Sequence, residues 1–297
     1  MEVFIMKLRP RTDDIITNAN ANANANANAN AGQINLHTHT CLCGHADGHV
    51  GDYLASAFSA GLKCIGISDH TPLPDGRWSE NRMTMNQLPE YLAAIRRGAS
   101  EYSDMRVLAG LECEFFPRYL AYFKEYLLDE MGLDYLIGGM HYFTSEHSHR
   151  GWMGAFGGII DHGTLREYTK HMIQSILEGP FLFIAHPDLF TNSYLEWDAE
   201  AEACSREIIR AAISIGMPLE INGYGMRKPV LETPDGVRWL YPHLRFWEIV
   251  AEEGGTCVVN SDAHSPHDVA ASLQCGAEIA RELGIEIETF PDLTGVS

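Results

Sequence analysis

Positive charge is scarce in this 297-residue sequence. Lysine and arginine number 21 against 40 aspartates and glutamates, for a formal net charge of -19. Proteins that grip nucleic-acid phosphates need a basic face, so nucleic acid is not expected as the main partner. A solvated acidic surface accounts for most of the charge, and divalent cations would offset part of it. Long apolar runs are also missing. None approaches the roughly 20 residues of a membrane span, so no membrane partner is expected. The stretch from Met1 to Leu8 is too short and too interrupted for the apolar region of a secretion signal. There is no Cys-x-x-Cys pair among the seven scattered cysteines, Cys41, Cys43, Cys64, Cys113, Cys204, Cys257 and Cys275. That pattern is not a disulfide framework. It points to a reducing cytoplasm in which most thiols pack as small core residues. Cys41 and Cys43 sit beside histidines and are soft-ligand candidates.

What is present begins with a repeat. Residues 18 to 31 are Asn-Ala alternation with no apolar face, so nothing there offsets the entropy of ordering. Residues 1 to 32 are expected to form a disordered tail, and residues 33 to 297 a single domain of about barrel size. Within that domain, short apolar runs alternate with helical patterns. Strands are expected at Ile34–Leu36, Cys64–Ile67, Val107–Leu111, Tyr135–Ile137, Phe181–Ala185, Pro218–Ile221 and Thr256–Asn260. They lack polar alternation, as parallel strands buried on both faces do. Helices are expected between them. One runs from Gln87 to Tyr102, with Leu88, Leu92 and Ile95 on one face; the last runs from Pro266 to Leu283. Gly61, Gly132, Gly179, Gly216, Gly254 and Gly284 fall at helix ends, where a left-handed residue is wanted. The alternation predicts an α/β barrel or a doubly wound sheet.

Chemistry collects just past the strands. His37 and His39 follow the first strand two residues apart, which points them to one side of an extended chain, and His45 lies on the next loop. Later strands lead to Asp69-His70, Glu112-Cys-Glu114, His141, His186-Pro187, Glu220-Ile-Asn222 and Asp262-Ala-His264. In parallel α/β folds the C-terminal strand ends share one rim, the active-site face. Singly, each residue has a plain structural explanation, such as an aspartate capping a helix at Asp262. Jointly, they describe a cup of metal-binding side chains.

His37-Thr-His39, Ser68-Asp69-His70, Gly110-Leu-Glu112, Ala185-His186-Pro187 and Ser261-Asp262-Ala-His264 resemble the motifs of the PHP (polymerase and histidinol phosphatase) superfamily. His45-Ala-Asp-Gly, Asn81-Arg82-Met83 and the stretch from Asn222 to Pro229 are similar to its histidinol-phosphate phosphatase branch. The resemblance spans about residues 33 to 283. It implies a distorted (β/α)7 barrel with three divalent metal ions, zinc, manganese or iron. His37, His39, Glu112 and Asp262 match the ligands of the first ion. Glu112 would bridge to a second ion held by His141 and His186, and His45, His70 and His264 match the ligands of the third. Glu114, on the same face as Glu112, is a supporting group or its substitute.

The expected activity is hydrolysis of L-histidinol phosphate in histidine biosynthesis, with a small phosphate ester as partner and a metal-bridging hydroxide attacking phosphorus. Another small phosphomonoester, a nucleotide or a sugar phosphate, is the alternative substrate. Asp262 or His264 would handle the leaving-group proton. Arg227 could fork onto phosphate oxygens, with Arg82 and Arg118 behind it. The loop from Tyr142 to Gly154 reads as a lid or substrate wall, and its His147 and His149, like His162 beyond it, as loop histidines rather than further ligands. His49 is the weaker competitor to His45. A metal-dependent amidohydrolase also opens with His-x-His, but it needs a lysine at a strand end, and none is present.

Overall fold

The computed structural model describes residues 31–233 and 236–296; the tail expected over residues 1 to 32 lies almost wholly outside them. Eight parallel strands follow one another in space in chain order. They are β1 (Ile34–Asn35), β2 (Cys64–Ile67), β3 (Arg106–Cys113), β4 (Tyr135–Gly138), β5 (Phe183–Ile184), β6 (Leu219–Asn222), β7 (Thr256–Asn260) and β8 (Glu286–Ile287). Helices α1 (Val50–Ser59), α2 (Leu88–Glu101), α3 (His162–Glu178), α4 (Ala199–Ser214), α5 (Leu244–Glu253) and α6 (Leu273–Leu283) lie between them. The sequence pattern predicts an ordinary helix from Tyr119 to Glu130, and Tyr122–Glu130 instead form a π-helix.

Each strand feeds two cores, because successive side chains face opposite sides. On β3, Val107, Ala109 and Leu111 join the large cluster between sheet and helices, while Leu108 joins a small inner cluster with Ile34, Leu36, Tyr135, Ile137, Phe183 and Val258. The inner layer turns polar toward the C-terminal strand ends, where Glu112, Glu220, Asn222 and Asn260 are all buried. Tyr135 crosses the interior, its hydroxyl donating to the Leu36 carbonyl at 2.6 Å. Gly66 and Gly110 make room for it, since a Cβ at either position would fall on the Tyr135 ring.

The sheet closes through a seam. β8 pairs with the first residues of β7, Thr256 opposite Glu286. Above it, β1 and β7 are joined by side-chain amides: Leu36 N–H donates to Asn260 Oδ1 at 2.7 Å and Ser261 N–H to Asn35 Oδ1 at 3.1 Å. A single bridge, Thr38 to Ala263, completes the rim. The result is the distorted α/β barrel that the family resemblance implied, one of the two architectures the strand pattern allowed, with β8 and two antiparallel hairpins added. One hairpin pairs Tyr142–Thr144 with Trp152–Gly154, the other Leu231–Thr233 with Gly236–Arg238. Two further expectations change. Gly179 ends α3 in an extended conformation, not a left-handed one. The helix expected from Pro266 to Leu283 is broken by Ser272 at φ 63, so Pro266–Asp268 is a separate 3-10 turn.

Candidate metal centre and active site

The rim of the barrel gathers side chains from six strand ends into one cluster, buried at His37, His39, Glu112 and Asp262 and open toward His45. His37 and His39 bring their Nε2 atoms to 3.1 Å of each other. Around them, Asp262 Oδ1 stands 3.2 Å from His39 Nε2 and 3.6 Å from His37 Nε2. Glu112 Oε2 lies 3.4 Å and 3.5 Å from the same two nitrogens. The other oxygen of Glu112 faces His186 Nε2 at 3.1 Å and His141 Nε2 at 3.6 Å. His70 Nδ1 approaches Glu112 Oε2 at 3.0 Å. On the outer side, His264 Nε2 and His45 Nε2 meet at 3.1 Å.

Two features of this cluster fit a cation. Glu112 Oε2 and Asp262 Oδ1 are buried without a hydrogen-bond donor, an arrangement that proteins otherwise avoid. The donors also fall into sets that could hold a metal ion, including His37–His39–Glu112, His70–Glu112–His141 and His39–His70–His264. Neutral imidazole and carboxylate suit zinc, manganese or iron.

A supporting layer aims the imidazoles. His37 Nδ1 pairs with Glu220 Oε1 and His141 Nδ1 with Glu114 Oε1, each at 2.8 Å. Such carboxylate–histidine pairs leave the far nitrogen's lone pair for a metal. Glu220 is itself held by Asn222, Asn260 and the His186 N–H. His45 and His264 are aimed by carbonyls instead, of Cys43 at 3.0 Å and Asp262 at 3.1 Å.

Charge divides the donors: against burial, Asp262, Glu220 and Glu112 raise His37 well above its ordinary value and Asp262 with Asp69 raises His39 to about 9, so a bound cation would displace protons there. Burial by itself would raise the Glu112 carboxyl, but the imidazoles of His141, His37 and His70 hold it well below the usual range. Asp262 behaves likewise, with His37 and His39 overcoming burial. Burial and the neighbouring His39 push His70 and His264 well down and His45 down, which keeps them as free-base imidazoles.

The family model of the PHP domain matches residues 35–223. The chain belongs to the PHP family. A probable histidinol-phosphatase of Deinococcus radiodurans is 31% identical over 263 residues, covering 84% of this chain and 93% of that relative. A probable histidinol-phosphatase of Schizosaccharomyces pombe is 26% identical over 282 residues, covering 85% of this chain and 88% of the relative. Among solved structures, the histidinol phosphate phosphatase of Lactococcus lactis, complexed with zinc, L-histidinol and phosphate, shares the fold at a TM-score of 0.64. It is 18% identical, and the match covers 86% of this chain and 95% of that one.

In this PHP domain, all nine side chains read as ligands (His37, His39, His45, His70, Glu112, His141, His186, Asp262 and His264) meet at the one rim. A cavity of about 350 Å³ opens beside them, lined also by Arg82, Tyr142, Phe156, Tyr224, Lys228 and Tyr241. Arg227 is elsewhere: its guanidinium reaches the carbonyls of Ser261 and Asp262. Arg82 reaches the cavity, although its fork is partly taken by the Thr71 and Trp78 carbonyls. Arg118 lies over Phe116 and Tyr119. His49 starts α1 and pairs with Cys41 Sγ at 3.1 Å. Cys43 lies near His45 and His264, but burial pushes its thiol up to about 12, which disfavours the thiolate a metal needs. His147 and His162 are exposed and pair with Glu167 and Asp198. Phe156 and Tyr241 had drawn no attention in the sequence, and Tyr224 and Lys228 only as members of the stretch from Asn222 to Pro229.

Proposed function

We propose that this protein is a metal-dependent phosphomonoesterase that hydrolyses L-histidinol phosphate to L-histidinol and phosphate in histidine biosynthesis. One observation carries the reading: imidazole and carboxylate donors converge around Glu112 and Asp262 on the rim of a PHP-family chain whose 31%-identical relative is named a probable histidinol-phosphatase. The zinc, L-histidinol and phosphate in the Lactococcus lactis structure support the same chemistry. In this reading three divalent ions are held by His37, His39, Glu112 and Asp262, by Glu112, His141 and His186, and by His45, His70 and His264.

Bound there, the ions would neutralise the phosphate dianion and lower the pKa of water toward about 7. The chain's own groups do the rest. Lys228 and Arg82 add positive charge at the cavity wall, where the phosphate oxygens enter. Hydrolysis forms a bond from water oxygen to phosphorus and breaks the ester P–O bond. The water's proton must travel to the leaving alkoxide. Asp262 and His264 line the cavity beside the metal-type donors, and in this reading one of them passes that proton to the alkoxide. Exposed Phe156 offers a ring face for the imidazole carried by the leaving alcohol, while Tyr142 is held in a stack with Trp78.

The protein is placed in the cytoplasm in this reading; among the described residues no helix is long and apolar enough to cross a membrane. Residues 33 to 297 are taken as the catalytic domain. A steady-state assay on histidinol phosphate, beside a panel of nucleotides and sugar phosphates, tests the substrate. A preference for another phosphomonoester overturns the assignment.

A further inference from the structure

We infer that Arg227 is a positioning residue that clamps the backbone of the Asp262–His264 segment, and so aims two proposed metal ligands, rather than a phosphate ligand. The inference rests on the metal-centre reading above but not on the identity of the substrate.

The need for a clamp follows from the backbone. β7 ends at Asn260, so the carbonyls of Ser261 and Asp262 have left the strand ladder. Buried carbonyls must find donors elsewhere. Asp262 is also held at φ 49, a left-handed conformation that an aspartate keeps only when its surroundings impose it. That conformation sends its carboxylate inward. Oδ1 faces His37 and His39, while Oδ2 accepts from Asn222 Nδ2 at 3.0 Å. Two residues on, His264 turns toward His45.

Arg227 supplies a donor to the Ser261 carbonyl and a second one to the Asp262 carbonyl, which also faces His264 Nδ1. It ends the short helix Gly223–Arg227 that follows β6. Its Nη2 donates to the Ser261 carbonyl at 2.9 Å and to the Asp262 carbonyl at 3.3 Å. Nη1 reaches the Ala271 carbonyl at 3.4 Å, and Nε lies 3.4 Å from Asp268 Oδ2. The fork is thus committed at both terminal nitrogens, while Nε faces Asp268 without a hydrogen bond, and the side chain is 17% exposed. Lys228, the next residue, lines the cavity instead. Only a planar guanidinium spans this set of acceptors; an ammonium is a single point.

The test uses cobalt(II) alone as probe, so it needs no turnover. The full-length protein is stripped of metal, titrated with cobalt and followed by its visible ligand-field bands. Arg227→Lys should bind cobalt about 10–100-fold more weakly and show altered bands, the usual cost of losing a group that orients ligands. Arg118→Gln, at a side chain that lies over Phe116 and Tyr119 away from the cluster, should leave both unchanged. Arg227→Ala should lose the native bands and recover them with added methylguanidinium. Arg227→Lys with wild-type affinity and bands, or with only a raised KM for phosphate ester, overturns the clamp and makes Arg227 an anion ligand. Altered bands that methylguanidinium does not restore, together with lost near-ultraviolet circular dichroism, overturn it in favour of a folding role. A wild-type protein that takes up no cobalt sinks the metal centre, and the clamp with it, whatever the phosphatase assay reports.

Discussion

At the scale of single residues, Glu112 bears the most weight. It is the one carboxylate that faces His37, His39, His70, His141 and His186 together. Glu112→Ala removes a negative charge that five imidazoles share and leaves the donor sets on either side incomplete. Metal catalysis contributes several kcal/mol, so kcat/KM should fall by roughly a thousandfold or more, with metal content reduced in the purified variant. Unchanged turnover would remove Glu112 from the chemistry. Glu220→Gln is a milder change, because the amide keeps the shape but not the full acceptor strength toward His37 Nδ1 and Asn260 Nδ2. Metal affinity should drop about 10–100-fold, read by competition with a chelating dye. Both glutamates stand where the alternation of a buried strand turns them inward. Glu112 was therefore legible from its motif. Glu220 showed only as a carboxylate at a strand end; its partner His37 is 183 residues away, which no local pattern can report.

Secondary-structure elements depend on their ends. Helix α4 begins at Asp198, whose Oδ1 accepts from the Glu200 and Ala201 N–H groups. Burial works against the ionised form, but these bonds and those from Tyr194 and His162 hold the carboxyl down at about 2. Asp198→Ala should cost about 1 kcal/mol, the usual value of such a cap, seen as a melting temperature about 2–4 °C lower. The sign of its pH dependence follows from a folded pKa below the unfolded one. The contribution is fully present above about 4, the ordinary value for an aspartate. It is lost as pH falls through about 2. Wild type and variant should therefore converge in acid; a gap that persists there would refute the cap's role. Strand β3 illustrates packing. Gly110→Ala places a methyl on the Tyr135 ring, and overpacking of this kind costs about 1–3 kcal/mol. Chemical denaturation would show it as a lower midpoint with an unchanged slope. The breaks at Gly179 and Ser272 were not legible, because helix ends depend on what the following residues dock against.

For the molecule as a whole, metal and fold should be coupled. A cluster that gathers imidazoles and unsatisfied carboxylate oxygens from six strand ends is stabilised by any cation that binds only the folded state. Chelation should lower the melting temperature, and zinc or manganese should restore it; a melting curve indifferent to chelator would count against a native metal centre. Truncation to a chain starting at Gln33 should leave kcat and KM unchanged if the domain is as proposed. The order of strands and helices and the identity of the rim residues were set by the sequence alone. Burial periodicity is a local property, and ligand chemistry belongs to the residue type. Tertiary structure decided the rest: the β8 seam, the pairing of Glu220 with His37, and the turn of Arg227 toward the Ser261 and Asp262 carbonyls while Lys228 entered the cavity. A long side chain goes where partners distant in the chain satisfy its donors, and those partners are brought within reach only when the barrel closes.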